Sequence, residues 1–449
     1  MAVDKIRELA LRVLYDVNEN KAYSNIALNK YIESADVKSL DARFITELVY
    51  GVIKWKKKLD FIIEQFSNIK IKKISPWILS ILRIGLYQIL YMDKVPVHSA
   101  CSESVNLAKR YGHNASGKYV NGVLRNVARN INNITYPKKE KDLIAYLSVE
   151  YSHPEWMVEE WVLRYGDDFA QKLLESNNKI PCFSIRVNTL KTTKSDLIKI
   201  LENEGVRVQE ALYEEEALII EKFSSIAKLQ AFKNGLFQVQ DESSMLVSRI
   251  LDPKLGDVVV DMCAAPGGKS THIAQLMQNK GVVISRDVHE HKIKLIDELA
   301  KRLEIDIIKS ELYDACKLDN SLIGKADRVL VDAPCTGLGV IRRKPDIKWA
   351  RNLNDIEDIV KIQKAILNNA AKYVKSGGFL VYSTCTIEPR ENEMVVEEFI
   401  KENKEYEKVD ITPLLPDKLK KPSAIDGKLQ LYPNVDGVDG FFICKMRKS

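Results

Sequence analysis

Apolar side chains recur every three or four positions through residues 1–130, which is the spacing of one face of an α-helix. The stretch 42–66 carries such an apolar stripe, with a lysine-rich polar side. No strand-like alternation interrupts the pattern, so we predict an all-helical domain over residues 1–135. Its further helices are predicted at 76–92, 99–111 and 117–130.

A polar segment at 130–139 breaks this period, and we predict the first domain boundary there. Beyond it, residues 140–230 mix two patterns. The stretch 181–188 alternates like a strand, and 194–205 has helical spacing. We therefore predict a small α+β module over 140–230.

From residue 231 onward, short apolar runs alternate with helical segments. Such alternation is typical of a mostly parallel sheet with helices on both faces. The sequence therefore predicts a Rossmann-like α/β domain over 231–449. Its strands are predicted at 258–261, 282–287, 328–332, 378–383 and 441–445, and its helices at 268–278, 290–303, 355–374 and 391–402.

Composition and charge favour a globular protein with a polyanionic partner. The chain has 449 residues, 45% apolar and 29% charged, which predicts several domains and no membrane segment. No secretory pattern marks its start, so we expect a cytoplasmic protein. Residues 1–130 hold 21 Lys and Arg against 12 Asp and Glu, whereas the remainder is slightly acidic. This basic third suggests nucleic-acid binding, although a solvated lysine-rich helix face explains the charge equally well.

The seven cysteines are odd in number and include no Cys-x-x-Cys pair, and the six histidines lack metal-ligand spacing. We therefore expect reduced thiols, no disulfide framework and no metal. A lone free cysteine is usually a small core residue, and we interpret Cys101, Cys182 and Cys444 in this way.

A ligand crevice is predicted where the run DMCAAPGGK, at 261–269, joins a strand to a helix. Gly267 and Gly268 allow the backbone to approach a ligand, and a helix start favours an anionic group. The spacing is not G-x-G-x-x-G, so a dinucleotide is not indicated. Asp287 ends the next predicted strand and could accept from ribose hydroxyls, whereas Asp314 follows a third predicted strand and could receive an adenine amino group. Asp287 could equally cap the helix that follows it.

Cys335 and Cys385 both occupy polar turns at predicted strand ends, in the runs VDAPC and YSTCT. Strand ends in an open α/β sheet face the ligand crevice. A thiolate that adds to carbon 6 of cytosine makes carbon 5 nucleophilic, and a second group is then needed to release the product. Asp332, three residues before Cys335, could hydrogen-bond ring nitrogen 3. The pattern predicts a cysteine-dependent enzyme that modifies a base.

These motifs resemble the RNA 5-methylcytosine methyltransferases that use S-adenosyl-L-methionine. The likeness extends to RRKPDIKW at 342–349, QVQDESS at 238–244 and DGFF at 439–442. The runs LRIGLYQ at 82–88 and VNGVLR at 120–125 are similar to the antitermination factor NusB. A NusB-like domain fused to such a catalytic domain is similar to the bacterial enzymes that methylate 16S (small-subunit) ribosomal RNA.

The resemblance implies a role for each site residue. Cys385 would be the attacking thiolate, Cys335 would assist product release, and Asp332 would lie near the sulfonium and the base. Asp287 would bind the ribose and Asp314 the adenine, although Arg286 departs from the small residue expected before the ribose acid. Arg186 and Asn188 would contact RNA. The methionine part would be cradled by Cys263, Ala264, Ala265, Pro266, Gly267, Gly268 and Lys269.

Two alternatives to this function stay open on the sequence alone. A non-catalytic RNA-binding or antitermination factor would need neither the two cysteines nor Asp332. Transfer RNA could replace ribosomal RNA as the substrate, because only the NusB-like fusion favours the ribosome. We expect a monomer.

Overall fold

The computed structural model describes residues 3–35, 37–223 and 225–449. The chain divides into two compact units. The first, the helical unit, comprises Met1–Lys179 and Ile341–Arg351. The second, the α/β unit, comprises Ile180–Val340 and Asn352–Ser449.

The all-helical prediction for the first part of the chain is confirmed. The predicted helix at 42–66 is two helices, which meet at Trp55. Close packing within the unit depends on small residues: a Cβ atom at Gly51 would lie 2.0 Å from the Tyr87 ring. The helices of this unit are Lys5–Glu19, Ser24–Ser34, Ser39–Lys54, Lys56–Phe66, Pro76–Tyr91, Val97–Tyr111, Asn114–Arg129, Leu143–Glu150, Glu155–Tyr165, Asp167–Asn178 and Ile347–Ala350.

The helical unit extends past the polar break at 130–139, where we predicted its boundary. Three more helices follow, and the unit ends only at Lys179. The first of the three begins at Leu143, and the Asp142 carboxylate accepts the Ala145 backbone N–H and caps the helix. Polar breaks of this kind mark a loop, and a loop need not separate domains. The α+β module is predicted from residue 140, whereas the second compact unit begins at Ile180.

The segment Ile341–Arg351 returns to the helical unit from a distant part of the sequence. The buried Lys348 ammonium donates to the carbonyl oxygens of Lys54 and Ser152, both at 2.8 Å. The Trp349 indole N–H donates to the Ile53 carbonyl at 2.7 Å. Because these acceptors are backbone atoms of the unit, the segment is an integral part of its packing.

The first part of the α/β unit forms a four-stranded antiparallel sheet. Its order is β2-β3-β1-β4, and its core includes Ile185, Leu197 and Phe237. The strands are β1 (Ser184–Val187), β2 (Arg207–Glu210), β3 (Ala217–Glu221) and β4 (Phe237–Val239), with helices Lys194–Asn203 and Gln230–Lys233. The α+β character predicted for this region is confirmed.

An eight-stranded sheet forms the rest of the unit, in the order β10-β12-β9-β8-β5-β6-β7, with β11 paired to β12. Its strands are β5 (Val258–Asp261), β6 (Val282–Asp287), β7 (Ile308–Leu312), β8 (Ala326–Asp332), β9 (Val374–Thr384), β10 (Tyr406–Lys408), β11 (Lys428–Leu431) and β12 (Phe441–Lys448). The accompanying helices are Glu242–Leu251, Gly268–Leu276, Glu290–Leu303, Leu353–Tyr373, Glu393–Glu402 and Pro433–Asp436.

The Rossmann-like prediction is confirmed for the strands β5 to β9, which are parallel. Along β8, Leu330 belongs to one hydrophobic core and Val331 to another, so both faces of the sheet are buried. The predicted strand at 441–445 was assigned to the parallel set, but β12 runs antiparallel to β9.

The chain order reverses around β5, because β6 and β7 lie on one side of it and β8 and β9 on the other. Ligands bind in the crevice outside the carboxyl ends of the strands at such a switch point. Asp261, Asp287 and Asp332 end three of these strands. No helix in the described residues is long and apolar enough to cross a membrane.

Candidate active site

The two cysteine turns lie side by side at the carboxyl ends of β8 and β9. These strands are parallel neighbours, and Asp332 pairs with Ser383 at their ends. The Ala333 N–H donates to the Ser383 carbonyl at 2.8 Å and continues the pairing into the turn. As a result, the sulfur atoms of Cys335 and Cys385 are 3.3 Å apart, and both residues are partly exposed.

The sulfur–sulfur contact raises the pKa of the Cys335 thiol well above its usual value, with burial as the next cause. A hydrogen bond between two sulfurs needs a proton, and the raised pKa keeps it on the pair at neutral pH. Cys335 and Cys385 are therefore a coupled pair that holds a proton between its two sulfurs.

Asp332 lies beside the thiols and is held by two donors. The Lys269 ammonium donates to Asp332 Oδ2 at 2.6 Å, and the Ser383 hydroxyl donates to Oδ1 at 2.8 Å. Burial by itself would lower the pKa of Lys269, but the Asp332 carboxylate outweighs this and raises it. The pair therefore presents a fixed cation and a fixed carboxylate in the crevice.

A cavity of about 220 Å³ opens above the glycine turn. Gly267 has φ +102°, which favours glycine, and a Cβ atom there would lie 3.3 Å from Ile296 Cα. The cavity is lined by Gln238, Val239, Gln240, Asp241, Ser244, Asp261, Cys263, Ala264, Ala265, Pro266, Gly268, Lys269 and Asp332. Six of the seven residues predicted to cradle a ligand therefore face one space, and Gly267 shapes their turn.

Asp261 is a site residue that the sequence reasoning did not single out. One carboxylate oxygen, Oδ2, accepts the Ser270 hydroxyl at 2.7 Å. The other, Oδ1, is buried without a hydrogen-bond partner in the described residues. Burial raises the pKa of Asp261 to about 7. A buried, unpartnered carboxylate oxygen beside a cavity is suited to a cationic ligand group. Its position at the end of β5 was the available signal.

A second cavity, of about 400 Å³, adjoins the first and shares Cys263, Ala265 and Asp332 with it. Asp287 and Asp314 line it, as the sequence analysis predicted. Asp287 also accepts the His289 N–H at 3.1 Å, but His289 is the N-cap of the following helix and that helix has no side-chain cap. The remaining lining includes apolar residues that the sequence analysis missed, namely Val288, Ala315, Pro334, Ile362 and Ile366.

Arg286 does not interfere with this cavity. Its guanidinium donates to the carboxylates of Glu311, at 2.8 Å, and Asp319, and it stacks on Tyr313. Successive side chains of a strand point to opposite faces of the sheet, so Arg286 and Asp287 face different surroundings. The positive charge of Arg286 is therefore neutralised within an internal ion-pair cluster.

The predicted RNA contacts of Arg186 and Asn188 are corrected by the structure. Their exposures are only 1% and 2%. The Arg186 guanidinium donates to the Gly268 carbonyl at 2.9 Å, to Thr271 at 3.1 Å and to Gln240. Asn188 donates to the carbonyls of Gly235 and Leu303. Arg186 therefore supports the cavity wall that Gln240 and Gly268 line, and Asn188 joins two backbone segments at Gly235 and Leu303. Cys182, predicted to be buried, is exposed, whereas Cys101 and Cys444 are buried.

Three protein-family models match successive parts of the chain. The NusB family matches residues 4–129. A ferredoxin-like domain of the RsmF/B-like methyltransferases matches 153–227. The 16S rRNA methyltransferase RsmB/F model matches 248–447. The order of these matches agrees with a helical first part, a small α+β sheet and a methyltransferase sheet.

Curated relatives match the whole chain. It is 43% identical to the probable ribosomal RNA small subunit methyltransferase B of Bacillus subtilis, over 100% of both chains. It is 34% identical to the corresponding Synechocystis protein, over 99% of each. Such identities over the full length make the family assignment independent of any single motif.

Solved structures support the same family assignment. The crystal structure of PH0851 superposes with a TM-score of 0.83 at 29% identity and covers 100% of both chains. NSun6 from Pyrococcus horikoshii with SFG gives a TM-score of 0.59 at 28% identity, over 66% of this chain and 98% of that one. Taken with the crevice, the family models and the full-length relatives, these likenesses show that the chain belongs to the RsmB/F family of 16S rRNA methyltransferases.

Proposed function

We propose that this protein transfers a methyl group from S-adenosyl-L-methionine to carbon 5 of a cytosine in 16S ribosomal RNA. The reaction proceeds through a covalent bond between Cys385 and carbon 6 of the base. The observation that carries this proposal is the 3.3 Å approach of Cys335 and Cys385 beside Asp332 and Lys269. A protein that only binds RNA gains nothing from two adjacent thiols at a ligand crevice.

The two adjoining cavities fit S-adenosyl-L-methionine in shape and chemistry. The unpartnered Asp261 oxygen suits the methionine ammonium, and the glycine turn at a helix start suits its carboxylate. Asp287 suits the ribose hydroxyls, while Asp314 and the apolar wall suit the adenine. When bound, the cofactor supplies an electrophilic methyl group.

The first task of the protein is to activate carbon 5. The Cys385 thiolate adds to carbon 6, a C–S bond forms, and the electron pair of the ring double bond becomes available at carbon 5. The Lys269 ammonium, held at 2.6 Å from Asp332, stabilises the negative charge that develops. The Asp332 carboxylate accepts a hydrogen bond from the exocyclic amino group beside nitrogen 3, which orients the ring for attack.

The second task is release of the methylated base. Carbon 5 must lose its proton, and the C–S bond must break with its electron pair returning to Cys385. The Cys335 thiol passes its proton towards the departing sulfur, and its own sulfur accepts the proton from carbon 5. The 3.3 Å separation of the sulfurs supports this exchange, and the raised pKa of Cys335 supplies the proton at the start.

Assay of the product tests this function. The full-length protein is incubated with a tritiated methyl donor and, in separate reactions, with unmodified 16S ribosomal RNA or transfer RNA. RNA binding is measured in parallel, and the digested RNA is analysed for 5-methylcytidine. Labelled 5-methylcytidine in ribosomal RNA is the expected result. Label in another nucleoside would contradict methylation at carbon 5 of cytosine. Label in transfer RNA alone would show that transfer RNA is the substrate. RNA binding without label would favour the non-catalytic factor.

A further inference from the structure

A buried carboxylate connects the two cysteine turns. Glu391 is fully buried and follows β9 by a short loop. Its Oε2 accepts the Thr336 backbone N–H at 2.9 Å and the Gln363 amide N–H at 3.0 Å, and its Oε1 accepts the Thr336 hydroxyl. Thr336 directly follows Cys335, so the carboxylate holds the backbone of that turn.

Two further hydrogen bonds complete the network. The Gln363 amide also donates to the Pro334 carbonyl at 3.0 Å, on the other side of Cys335. The hydroxyls of Thr336 and Thr386 are 3.0 Å apart, and Thr386 follows Cys385. Both chain neighbours of Cys335 are therefore bonded within this network, and the Cys385 turn joins it through Thr386.

The chemistry of the network favours a carboxylate at position 391. Three donors converge on its two oxygens, and a carboxylate only accepts hydrogen bonds when it is ionised. Burial raises the pKa of Glu391, while the bonds from Thr336 and Gln363 oppose that rise. A glutamine of the same shape would turn an N–H group towards one of the donors, and that donor would lose its partner.

We propose that Glu391 is a positioning residue that holds Cys335 against Cys385. This proposal rests on the proposed function, in which the contact between Cys335 and Cys385 has a catalytic role. The Glu391 carboxylate bonds directly to the Cys335 turn and contacts the Cys385 turn through Thr336 and Thr386. We therefore expect its loss to affect product release more than attack on the base. Glu391→Gln should therefore behave like Cys335→Ala and accumulate a methylated protein–RNA adduct.

The adduct assay uses the full-length protein, with Glu393→Gln as the control. Glu393 is exposed and pairs with Lys428 at the surface, at 2.6 Å. Glu391→Gln is expected to lower turnover at least tenfold, with S-adenosyl-L-methionine affinity within twofold of the parent and a labelled adduct on a denaturing gel. Lower turnover without an adduct, in proportion to the unfolded fraction, would overturn the proposal.

A thiol assay makes the proposal independent of the catalytic mechanism. Diamide oxidises two adjacent thiols to a disulfide and is itself reduced to the hydrazine. Peptide mapping follows formation of the Cys335–Cys385 bond. The Glu391→Gln variant should form it at least fivefold more slowly than the parent and Glu393→Gln.

Equal oxidation rates would overturn the positioning role. Slow oxidation of the Glu391→Gln variant, with no adduct from Cys335→Ala, would contradict the proposed function and leave the positioning role standing. If Glu391→Gln does not fold, Gln363→Met removes two of the donated bonds at similar volume, and the same rate comparison decides.

Discussion

The sulfur of Cys335 lies 3.3 Å from the sulfur of Cys385, and fifty residues separate the two in sequence. The register of two parallel strands brings them together, since Asp332 and Ser383 pair at the ends of β8 and β9. The contact also raises the pKa of the Cys335 thiol, so the two groups titrate as a coupled pair. Separate roles for the two thiols are a proposal, and variants of each cysteine test it.

Cys385→Ala is expected to abolish methyl transfer and to leave S-adenosyl-L-methionine affinity nearly unchanged, because the thiol acts on the base. Transfer of tritiated methyl groups and calorimetry measure the two properties. Cys182→Ser, at an exposed cysteine, is the control. Activity within about tenfold of the parent, a difference of ~1.4 kcal/mol in barrier, would remove Cys385 from the nucleophile role.

Asp287→Ala should weaken S-adenosyl-L-methionine binding by about 1.5–3 kcal/mol, the range for a charged hydrogen-bond acceptor. Asp287 lines the larger cavity, whereas Glu290, three residues later, is exposed and provides the control as Glu290→Ala. Calorimetry on both variants gives the comparison. Equal affinities would mean that Asp287 only accepts the His289 N–H and does not bind the cofactor.

Cofactor affinity should depend on pH through Asp261. Burial raises its pKa to about 7, so the carboxylate is mostly protonated below that pH and mostly ionised above it. A cationic ammonium prefers the ionised form, and affinity should rise about fivefold from about pH 6 to 7.5, before an α-amino group itself deprotonates. In Asp261→Asn, binding should be weaker and this rise absent. The same rise in both proteins would exclude Asp261.

The basic helical unit should contribute phosphate contacts. Lys70, Lys72 and Lys73 are exposed there, and their replacement by serine should reduce the slope of log affinity against log salt by about 2, at ~0.7 per contact with single-stranded RNA. The control is a triple of equal charge in the α/β unit, at the exposed residues Lys401, Lys404 and Lys418. Equal slopes for the two triples would place the RNA contacts elsewhere.

Strand-end chemistry could be predicted from the sequence, because it depends on local order. The glycine turn and the acids at 287, 314 and 332 each follow an apolar run, and parallel strands bring such ends to one edge. The structure places all of them at the two cavities. The element boundaries there agree with the predictions within a few residues, as for the helix predicted at 355–374 and found at Leu353–Tyr373.

Features that depend on distant partners could not be predicted. From the sequence alone, Arg186 is interpreted as a surface cation. Its partners Gly268 and Thr271 lie more than 80 residues away, and only the structure brings them beside it. The run containing Lys348 gave no sign that it packs on carbonyls of Lys54 and Ser152. A buried polar residue is recognised by its partners, and residue type alone does not supply them.

One gel experiment tests the account most directly. Parent, Cys335→Ala, Cys385→Ala and the double variant are incubated with 16S ribosomal RNA and tritiated methyl donor, then separated under denaturing conditions. Attack by Cys385 and release by Cys335 predict a labelled protein–RNA adduct in Cys335→Ala and none in the double variant. A purely structural Cys335 predicts lower stability and no adduct. An adduct in Cys385→Ala, or none in Cys335→Ala, would contradict the two-thiol mechanism.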